Sequence, residues 1–249
     1  LCSPQNPTGT VFTKKGLEDI CDIVLEENKR RGSDAKPLYL MYDQIYWALT
    51  YSDTEHYNPV GLRPEMRNYT VFVDGISKSL AATGVRVGWC MGPKPIIDKM
   101  KAILTHIGAW APKAEQLATA RYLSQLDKFD AFLNNQKDKL YARLDGLYRG
   151  LMSLKDEGLP VDVITPKGAI YLTVKFALHG MRKPDDSVLE NTRHITQYLL
   201  DEAGLAVVPF YAFGSPENSA WYRLSVGTCK LEEIDEVIRA LRKVLKALH

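Results

Sequence analysis

The apolar and polar positions near the start of the chain predict one amphipathic helix, between residues 13 and 32. Thr13 is a suitable N-cap for it, and Gly32 is a suitable residue just past its last turn. Arg30 and Arg31 fall in that last turn, where they complement the helix dipole, so they indicate a helix end rather than a binding patch. The apolar stripe has helical spacing and consists of Leu17, Ile20, Val24 and Leu25.

Three short apolar runs follow, of the kind that is typical of buried strands. They are Leu38–Tyr42, Thr70–Val73 and Val85–Met91. A helix is predicted from Pro95 to Ile107, with its proline in the first turn, where the missing N–H does no harm. The stretch from Pro112 to about Lys155 is predicted to be largely helical, because its leucines recur at intervals of three, four and seven residues.

The pattern changes after residue 155, where short strands alternate with helices. This alternation is typical of a separate α+β domain. The sequence therefore predicts two domains, 1–126 and 127–249, with a linking helix over about residues 127–155. The predicted strands are Ala169–Val174, Leu205–Val208 and Tyr222–Val226, and the predicted helices lie near Val188–Glu202 and Leu231–Leu248.

Composition narrows the class of protein. The 249 residues are 45% hydrophobic and 25% charged, with a net charge of +2, as in an ordinary globular protein. The chain contains no basic tract, no cysteine or histidine spacing typical of a metal site, and no apolar run of the roughly 20 residues that cross a bilayer. We therefore expect a cytoplasmic protein that binds neither nucleic acid, membrane nor metal.

Polar side chains lie at the ends of the first predicted strands. Asp43 directly follows the first strand, Lys78 lies just past the second, and Arg86 opens the third. Open α/β sheets bind ligands at the carboxyl ends of their strands, and these three side chains together suit a phosphorylated, protonatable heterocycle. Taken singly, Asp43 is also explained as a turn cap and Lys78 as a solvated loop lysine.

Several motifs occur in order along the chain. The first is Ser3-Pro4-Gln5-Asn6-Pro7-Thr8-Gly9, the second is Asp43-x-x-Tyr46, and the third is Ser77-Lys78 with Arg86 eight residues later. Further on come Pro166–Tyr171 and Trp221–Ser225. From Leu1 to the end of the chain, this series resembles the class I/II aminotransferases of fold type I.

The resemblance implies an α/β fold that binds pyridoxal 5′-phosphate (PLP). Residues 1–126 would form the C-terminal part of a large, mainly parallel-sheet domain, and residues 127–249 a small α+β domain. It also implies that Lys78 carries the cofactor and moves protons, while Asp43 keeps the pyridine nitrogen protonated. The other implied roles are hydrogen bonds to the ring oxygen from Asn6 and Tyr46, phosphate binding by Ser77 and Arg86, and binding of the substrate carboxylate by Arg223.

Some positions depart from the family's pattern. Gly75 stands where many relatives have a serine or threonine that contacts the phosphate. Phe210 follows Pro209 where a glycine is common, so the local loop geometry is open. We expect Tyr171 to be a packing residue rather than a catalyst.

The chain begins without methionine, in what reads as the end of a strand, so we expect an N-terminal segment to be missing. In this family that segment supplies a phosphate-binding turn, an aromatic ring stacked on the cofactor, and an arm that crosses a homodimer. We therefore expect a homodimeric protein, of which this part alone folds poorly or binds PLP weakly.

The function that the resemblance implies is ping-pong transfer of an amino group from an α-amino acid to a 2-oxo acid. Two alternatives stay open. One is another reaction of the same α-carbanion, of the β-lyase or decarboxylase type, on the same fold. The other is an aminotransferase-like domain that senses a ligand for a regulator. The sequence does not indicate which amino acid or 2-oxo acid is used.

Overall fold

The first helix forms where the apolar pattern predicts it. In the computed structural model, which describes all residues from Leu1 to His249, helix α1 spans Lys14–Arg31. Thr13 caps the helix, because its hydroxyl accepts a hydrogen bond from the Gly16 backbone amide at 3.1 Å. Gly32 ends the helix with a φ of +70°, a left-handed value that suits glycine.

Three strands form the first sheet and set the position of the candidate site. Strand β1 (Leu40–Asp43) runs parallel to β2 (Thr70–Gly75), and β2 runs antiparallel to β3 (Gly88–Met91). The carboxyl ends of β1 and β2 therefore lie at one edge of the sheet, together with the start of β3. We call this the carboxyl edge. The prediction that Arg86 opens the third strand is wrong, because β3 begins two residues later.

The core of this part of the chain lies between α1 and the sheet. Short helices α2 (Pro59–Leu62) and α3 (Ile76–Ser79) follow β1 and β2, and longer helices α4 (Lys94–Ile107) and α5 (Lys113–Leu123) follow β3. Helix α4 confirms the predicted helix, yet it buries none of its residues. The buried core cluster comprises Leu17, Cys21, Val24, Leu40, Tyr42 and Met66.

The longest helix, α6, spans Leu126–Asp156 and confirms the predicted helix over about residues 127–155. No helix in the chain combines the length and the apolar character that crossing a bilayer requires. The chain divides into two compact units within α6. Unit 1 comprises Leu1–Gln5 and Thr10–Gln136, and unit 2 comprises Asn6–Gly9 and Lys137–His249.

Unit 2 contains a second sheet of four strands, all antiparallel. Its strands are β4 (Val161–Val163), β5 (Tyr171–Phe176), β6 (Val208–Pro209) and β7 (Trp221–Ser225), in the order β4-β5-β7-β6. Strand β4 was not predicted, because three residues are too short to show an alternating pattern.

The helices of unit 2 are α7 (Thr192–Ala203) and α8 (Ile234–Lys246), in addition to α6. Strand β6 begins later than the predicted strand at Leu205, because the Leu205 amide completes the end of α7 by donating to the Leu199 carbonyl at 3.0 Å. The leucines that predicted the long helix face the unit's core: Leu140, Leu144, Leu147 and Leu151 are buried.

Candidate active site

Asp43 occupies the carboxyl edge of the unit 1 sheet. It is the last residue of β1 and lies opposite Val73 of β2. Its Oδ1 accepts a hydrogen bond from the Ile45 backbone amide at 3.0 Å, which fixes the carboxylate in a turn. Asp43 is thus a turn cap, as one interpretation held, and it also stands at the edge where the other interpretation placed a ligand group.

Lys78 lies in α3, directly after the end of β2. The backbone around it is held by two side chains. The Gln136 amide donates to the Lys78 carbonyl at 3.0 Å, and the Thr83 hydroxyl donates to the Ser77 carbonyl at 3.2 Å. Lys78 and Ser77 are both half-buried at the same edge as Asp43. The structure therefore brings the predicted carboxylate and lysine to one edge on an anchored backbone.

Arg86 has a backbone conformation that residues other than glycine rarely adopt. It follows a 3₁₀ turn over Thr83–Val85 and adopts φ +62° and ψ +39°, in the left-handed region. Its Nη1 donates to the Thr83 carbonyl at 2.9 Å, and its side chain is exposed. A left-handed residue other than glycine costs about 1–2 kcal/mol, and such strain concentrates at functional sites. Most of the guanidinium's N–H donors stay available to a ligand.

Tyr46 lies in the turn that follows β1 and is 2% exposed. Its backbone carbonyl accepts a hydrogen bond from the Leu49 amide at 2.8 Å, and the Trp47 amide donates to the Gln44 carbonyl at 2.8 Å, so two backbone hydrogen bonds close the turn. The role predicted for its hydroxyl, a hydrogen bond to a cofactor oxygen, stays a prediction.

Sequence reasoning missed a second carboxylate near this edge, that of Asp74. It is 6% exposed and accepts hydrogen bonds from the Gly75 amide at 2.7 Å and from the Gln44 side chain at 3.4 Å. Burial raises the pKa of the Asp74 carboxyl above its ordinary value. Asp74 and Arg86 both line a cavity of about 540 Å³. The rule that identified Asp43, a carboxylate at a strand's carboxyl end, also applies to Asp74.

Arg223 in unit 2 is held by a different set of groups. Its Nη1 donates to Asn6 Oδ1 at 2.8 Å. Its guanidinium carbon lies 4.6 Å from the ring centroid of Tyr171 and 5.0 Å from that of Phe213. Tyr171 is buried, as expected of a packing residue, and its ring also contacts a charged group. Phe213 was missed, because it lies in an irregular turn where no periodic pattern marks it.

The segment Asn6–Gly9 is fastened to unit 2 through its backbone. The amides of Lys167 and Gly168 donate to the Gly9 carbonyl at 3.1 and 3.0 Å, and the Thr173 hydroxyl donates to the Thr8 carbonyl at 2.9 Å. Gly9 has a φ of +68°, which favours glycine. The Asn-Pro-Thr-Gly motif is therefore more than a turn, since it holds Asn6 beside Arg223.

The predicted site residues thus fall into two groups. Asp43, Ser77, Lys78 and Arg86 lie at the carboxyl edge in unit 1, with Tyr46 in the adjoining turn. The second group consists of Asn6 and Arg223, which share a hydrogen bond in unit 2. No cluster of three or more histidine, cysteine or acidic side chains suitable for a metal ion occurs in the structure.

The chain is similar in sequence to a known protein family and to curated proteins. A sequence model of the family described as aminotransferase class I and II matches residues 1–241. The aspartate aminotransferase of Bacillus sp. (strain YM-2) is 30% identical over 245 residues, which cover 98% of this chain and 56% of that relative. The chain therefore spans just over half the length of this curated relative.

Solved structures agree with the sequence comparison. The aspartate aminotransferase of Rhizobium meliloti superimposes with a TM-score of 0.86 at 26% identity, covering 100% of this chain and 58% of that one. The aromatic aminotransferase of Pyrococcus horikoshii OT3 gives 0.81 at 29% identity, covering 98% and 58%. These matches confirm the predicted α/β fold of type I. Since both the family's sequence model and its fold extend over nearly all of these residues, the chain belongs to the aminotransferase class I and II family.

Proposed function

We propose that this protein is a PLP-dependent aminotransferase that moves an amino group from an α-amino acid to a 2-oxo acid. The observation that carries the proposal is the group of Asp43, Lys78 and Arg86 at the carboxyl edge of one sheet, in a chain that belongs to this family. The proposal includes a homodimer, as the resemblance implies, and a cytoplasmic location, as the scattered cysteines favour.

The side chains at the carboxyl edge fit PLP by their chemistry. A carboxylate, Asp43, complements a protonated pyridine nitrogen, and a primary amine, Lys78, can bond to an aldehyde. A hydroxyl and a guanidinium, those of Ser77 and Arg86, suit a phosphate. Arg86 supports this fit most directly. Its backbone adopts a strained, left-handed conformation, and its exposed guanidinium lies at the carboxyl edge. When bound, PLP supplies an electron sink for negative charge at the substrate Cα.

Each residue then has a distinct task. Asp43, fixed by the Ile45 amide, stabilises positive charge on the ring nitrogen. With PLP bound, Lys78 Nζ would take the proton from the substrate Cα and deliver the same proton to the adjoining cofactor carbon, acting first as base and then as acid. The Gln136 bond to the Lys78 carbonyl positions the backbone of this proton carrier.

Recognition of the substrate carboxylate is assigned to Arg223, as the resemblance implies. Asn6 Oδ1 is used by Arg223, which leaves the Asn6 amide nitrogen to donate to a cofactor oxygen. The resemblance implies that the Tyr46 hydroxyl, in the turn after β1, also hydrogen-bonds a cofactor oxygen. The proposed reaction is ping-pong, with the amino acid and the 2-oxo acid binding in turn.

The test is the visible absorption spectrum of the purified natural full-length protein with PLP, recorded before and after single amino acids are added. We expect a visible band that one amino acid removes and that Lys78→Ala abolishes, because the band requires the lysine amine. Lys99→Ala, a change of an exposed lysine on α4, is the matched control and should keep the band.

The reaction products then distinguish amino-group transfer from a lyase reaction. With the active amino acid and 2-oxoglutarate, glutamate should appear in proportion to the new 2-oxo acid. A 2-oxo acid formed without glutamate would indicate a lyase instead. A protein that shows no band with saturating PLP would contradict the proposal and favour a ligand-sensing domain.

A further inference from the structure

We propose that Tyr171 and Phe213 form an aromatic clamp that fixes the plane of the Arg223 guanidinium for the substrate carboxylate. Both are positioning residues, since each would act through Arg223 rather than on the reacting atoms. This inference rests on the proposed function, because it assumes that Arg223 binds a carboxylate.

The register of the second sheet brings Tyr171 to Arg223. Arg223 of β7 lies opposite Thr173 of β5, and Tyr171 is two residues from Thr173, on the same face of the sheet. Diagonal neighbours of this kind are within reach of long side chains. The result is the 4.6 Å separation between the guanidinium carbon and the Tyr171 ring centroid.

Phe213 reaches the guanidinium from another element. Val208 of β6 pairs with Arg223, and a 3₁₀ turn over Phe210–Phe213 follows β6 directly. The Phe213 ring lies 5.0 Å from the guanidinium carbon, and its edge packs against Phe210 with 6.2 Å between ring centroids. Both separations from Arg223 lie within the roughly 6 Å at which a cation is attracted to an aromatic face.

A third contact restricts the guanidinium within its own plane. Asn6 Oδ1 accepts from Nη1 at 2.8 Å, so rotation about the side-chain axis would break a hydrogen bond as well as two ring contacts. An arginine held in this way has lost most of its rotational freedom before a ligand arrives. Binding a carboxylate then costs less entropy than it would for a mobile arginine.

The clamp also shields part of the Arg223 guanidinium from water. Arg223 Nε is buried and has no hydrogen-bond acceptor. A charged donor group without full solvation or pairing attracts an anion more strongly than a hydrated one does. Removing either ring should therefore weaken carboxylate binding by readmitting water and restoring rotation.

The experiment removes each ring and then restores it. Phe213→Leu and Tyr171→Leu should raise the KM for 2-oxoglutarate roughly 5- to 30-fold with kcat little changed, because the ring contacts act equally on the bound substrate and on the transition state. Phe213→Tyr and Tyr171→Phe keep an aromatic face and should restore the original KM.

A control variant in the same turn separates the loss of the clamp from an effect on folding. Phe213 is 41% exposed, so its replacement by leucine leaves the core intact. Tyr211→Leu alters another aromatic residue of that turn, 40% exposed, and should leave KM unchanged. Tyr171 is 5% exposed, so the recovery of KM in Tyr171→Phe distinguishes the clamp from a loss of packing.

Calorimetric titration with 2-oxoglutarate separates failure of this inference from failure of the proposed function. Weaker binding in both leucine variants supports the clamp, even if the protein proves to transfer no amino group. An active wild type whose KM and dissociation constant are the same in both leucine variants would overturn the clamp alone. A wild type that neither transfers an amino group nor binds 2-oxoglutarate would overturn both.

Discussion

Arg86 illustrates, at the scale of one residue, how a side chain proposed to bind phosphate is positioned against its backbone preference. Its φ of +62° lies where glycine is stable and other residues are strained. The 3₁₀ turn before it and the pairing of β3 after it impose this conformation. The backbone strain therefore affects stability, whereas the guanidinium affects ligand binding. Two substitutions at residue 86 distinguish these effects.

We predict that Arg86→Gly is more stable than Arg86→Ala by about 0.5–1 kcal/mol, because glycine relieves the left-handed strain but loses more entropy on folding. Both variants lack the guanidinium, so both should bind PLP equally weakly. Urea unfolding and a PLP titration measure the two effects. Equal stability of the two variants would mean that the backbone at residue 86 is unstrained.

His56 is a second residue with an unfavourable environment. Both ring nitrogens are buried without hydrogen-bond partners, and the ring lies 6.1 Å from that of Tyr42. Burial lowers the pKa of His56 from 6.5 to about 4. Between these values the unfolded chain takes up a proton that the folded protein does not. Stability is therefore lost as the pH falls through this window.

We predict that the free energy of unfolding falls by roughly 1–2 kcal/mol more between pH 7 and pH 5 in the wild type than in His56→Phe. Phenylalanine keeps the contact with Tyr42 but cannot be protonated. Denaturant unfolding at the two pH values measures the difference. If the variant keeps the full pH dependence, groups other than His56 are responsible.

At the scale of elements, the close contact of Gly9 with β5 determines whether Asn6 stays beside Arg223. A Cβ built on Gly9 would lie 2.2 Å from the Tyr171 carbonyl oxygen, where no real Cβ fits. Strand β5 or the Asn6–Gly9 segment would then have to move. Gly32 offers a matched comparison, because its φ is also positive, at +70°, while no atom lies within 4 Å of its Cβ position.

We predict that Gly9→Ala lowers the free energy of unfolding by roughly 2–4 kcal/mol and raises the KM for 2-oxoglutarate, because it displaces Asn6. Gly32→Ala adds only backbone strain and should cost about 1 kcal/mol with KM unchanged. Unfolding and steady-state assays of both variants provide the comparison. Equal effects would mean that the segment adapts to the extra methyl group.

The elements also show what the sequence could and could not predict. Long periodic segments such as α1, α4 and α6 were predicted to within a few residues, because an apolar stripe repeats over several turns. The start of β3 was wrong, because valines on both sides of Arg86 favour a strand while tertiary structure imposes a left-handed turn. Strand β4 was too short for any pattern.

At the scale of the whole molecule, the resemblance suggested more of the candidate site than local patterns did. The carboxyl edge follows from strand order, so Asp43 and Lys78 were found from the residues themselves. The hydrogen bond from Arg223 to Asn6 joins residues 217 positions apart, and no local pattern reports such a contact. Phe213 was missed for a different reason, because it lies in an irregular turn that no periodic pattern marks.

Unit 1 exposes large apolar side chains on α4 and α5 and in the segment between them. Ile103, Ile107, Trp110 and Leu117 are each at least half exposed. Contact between apolar side chains and water is unfavourable. The expectation that these 249 residues alone fold poorly stays a prediction.

The division of the chain has a consequence for the order of folding. Asn6–Gly9 is synthesised before its partners Thr173 and Arg223, because they lie 165 and 217 residues later in the chain. Contacts across such long stretches form late, since the intervening chain must first be ordered. Domains generally fold as they emerge, with the N-terminal part first. We therefore expect the unit 1 sheet, which ends next to Lys78, to assemble on the ribosome before Arg223 meets Asn6, so the group proposed to bind the substrate carboxylate forms late in synthesis.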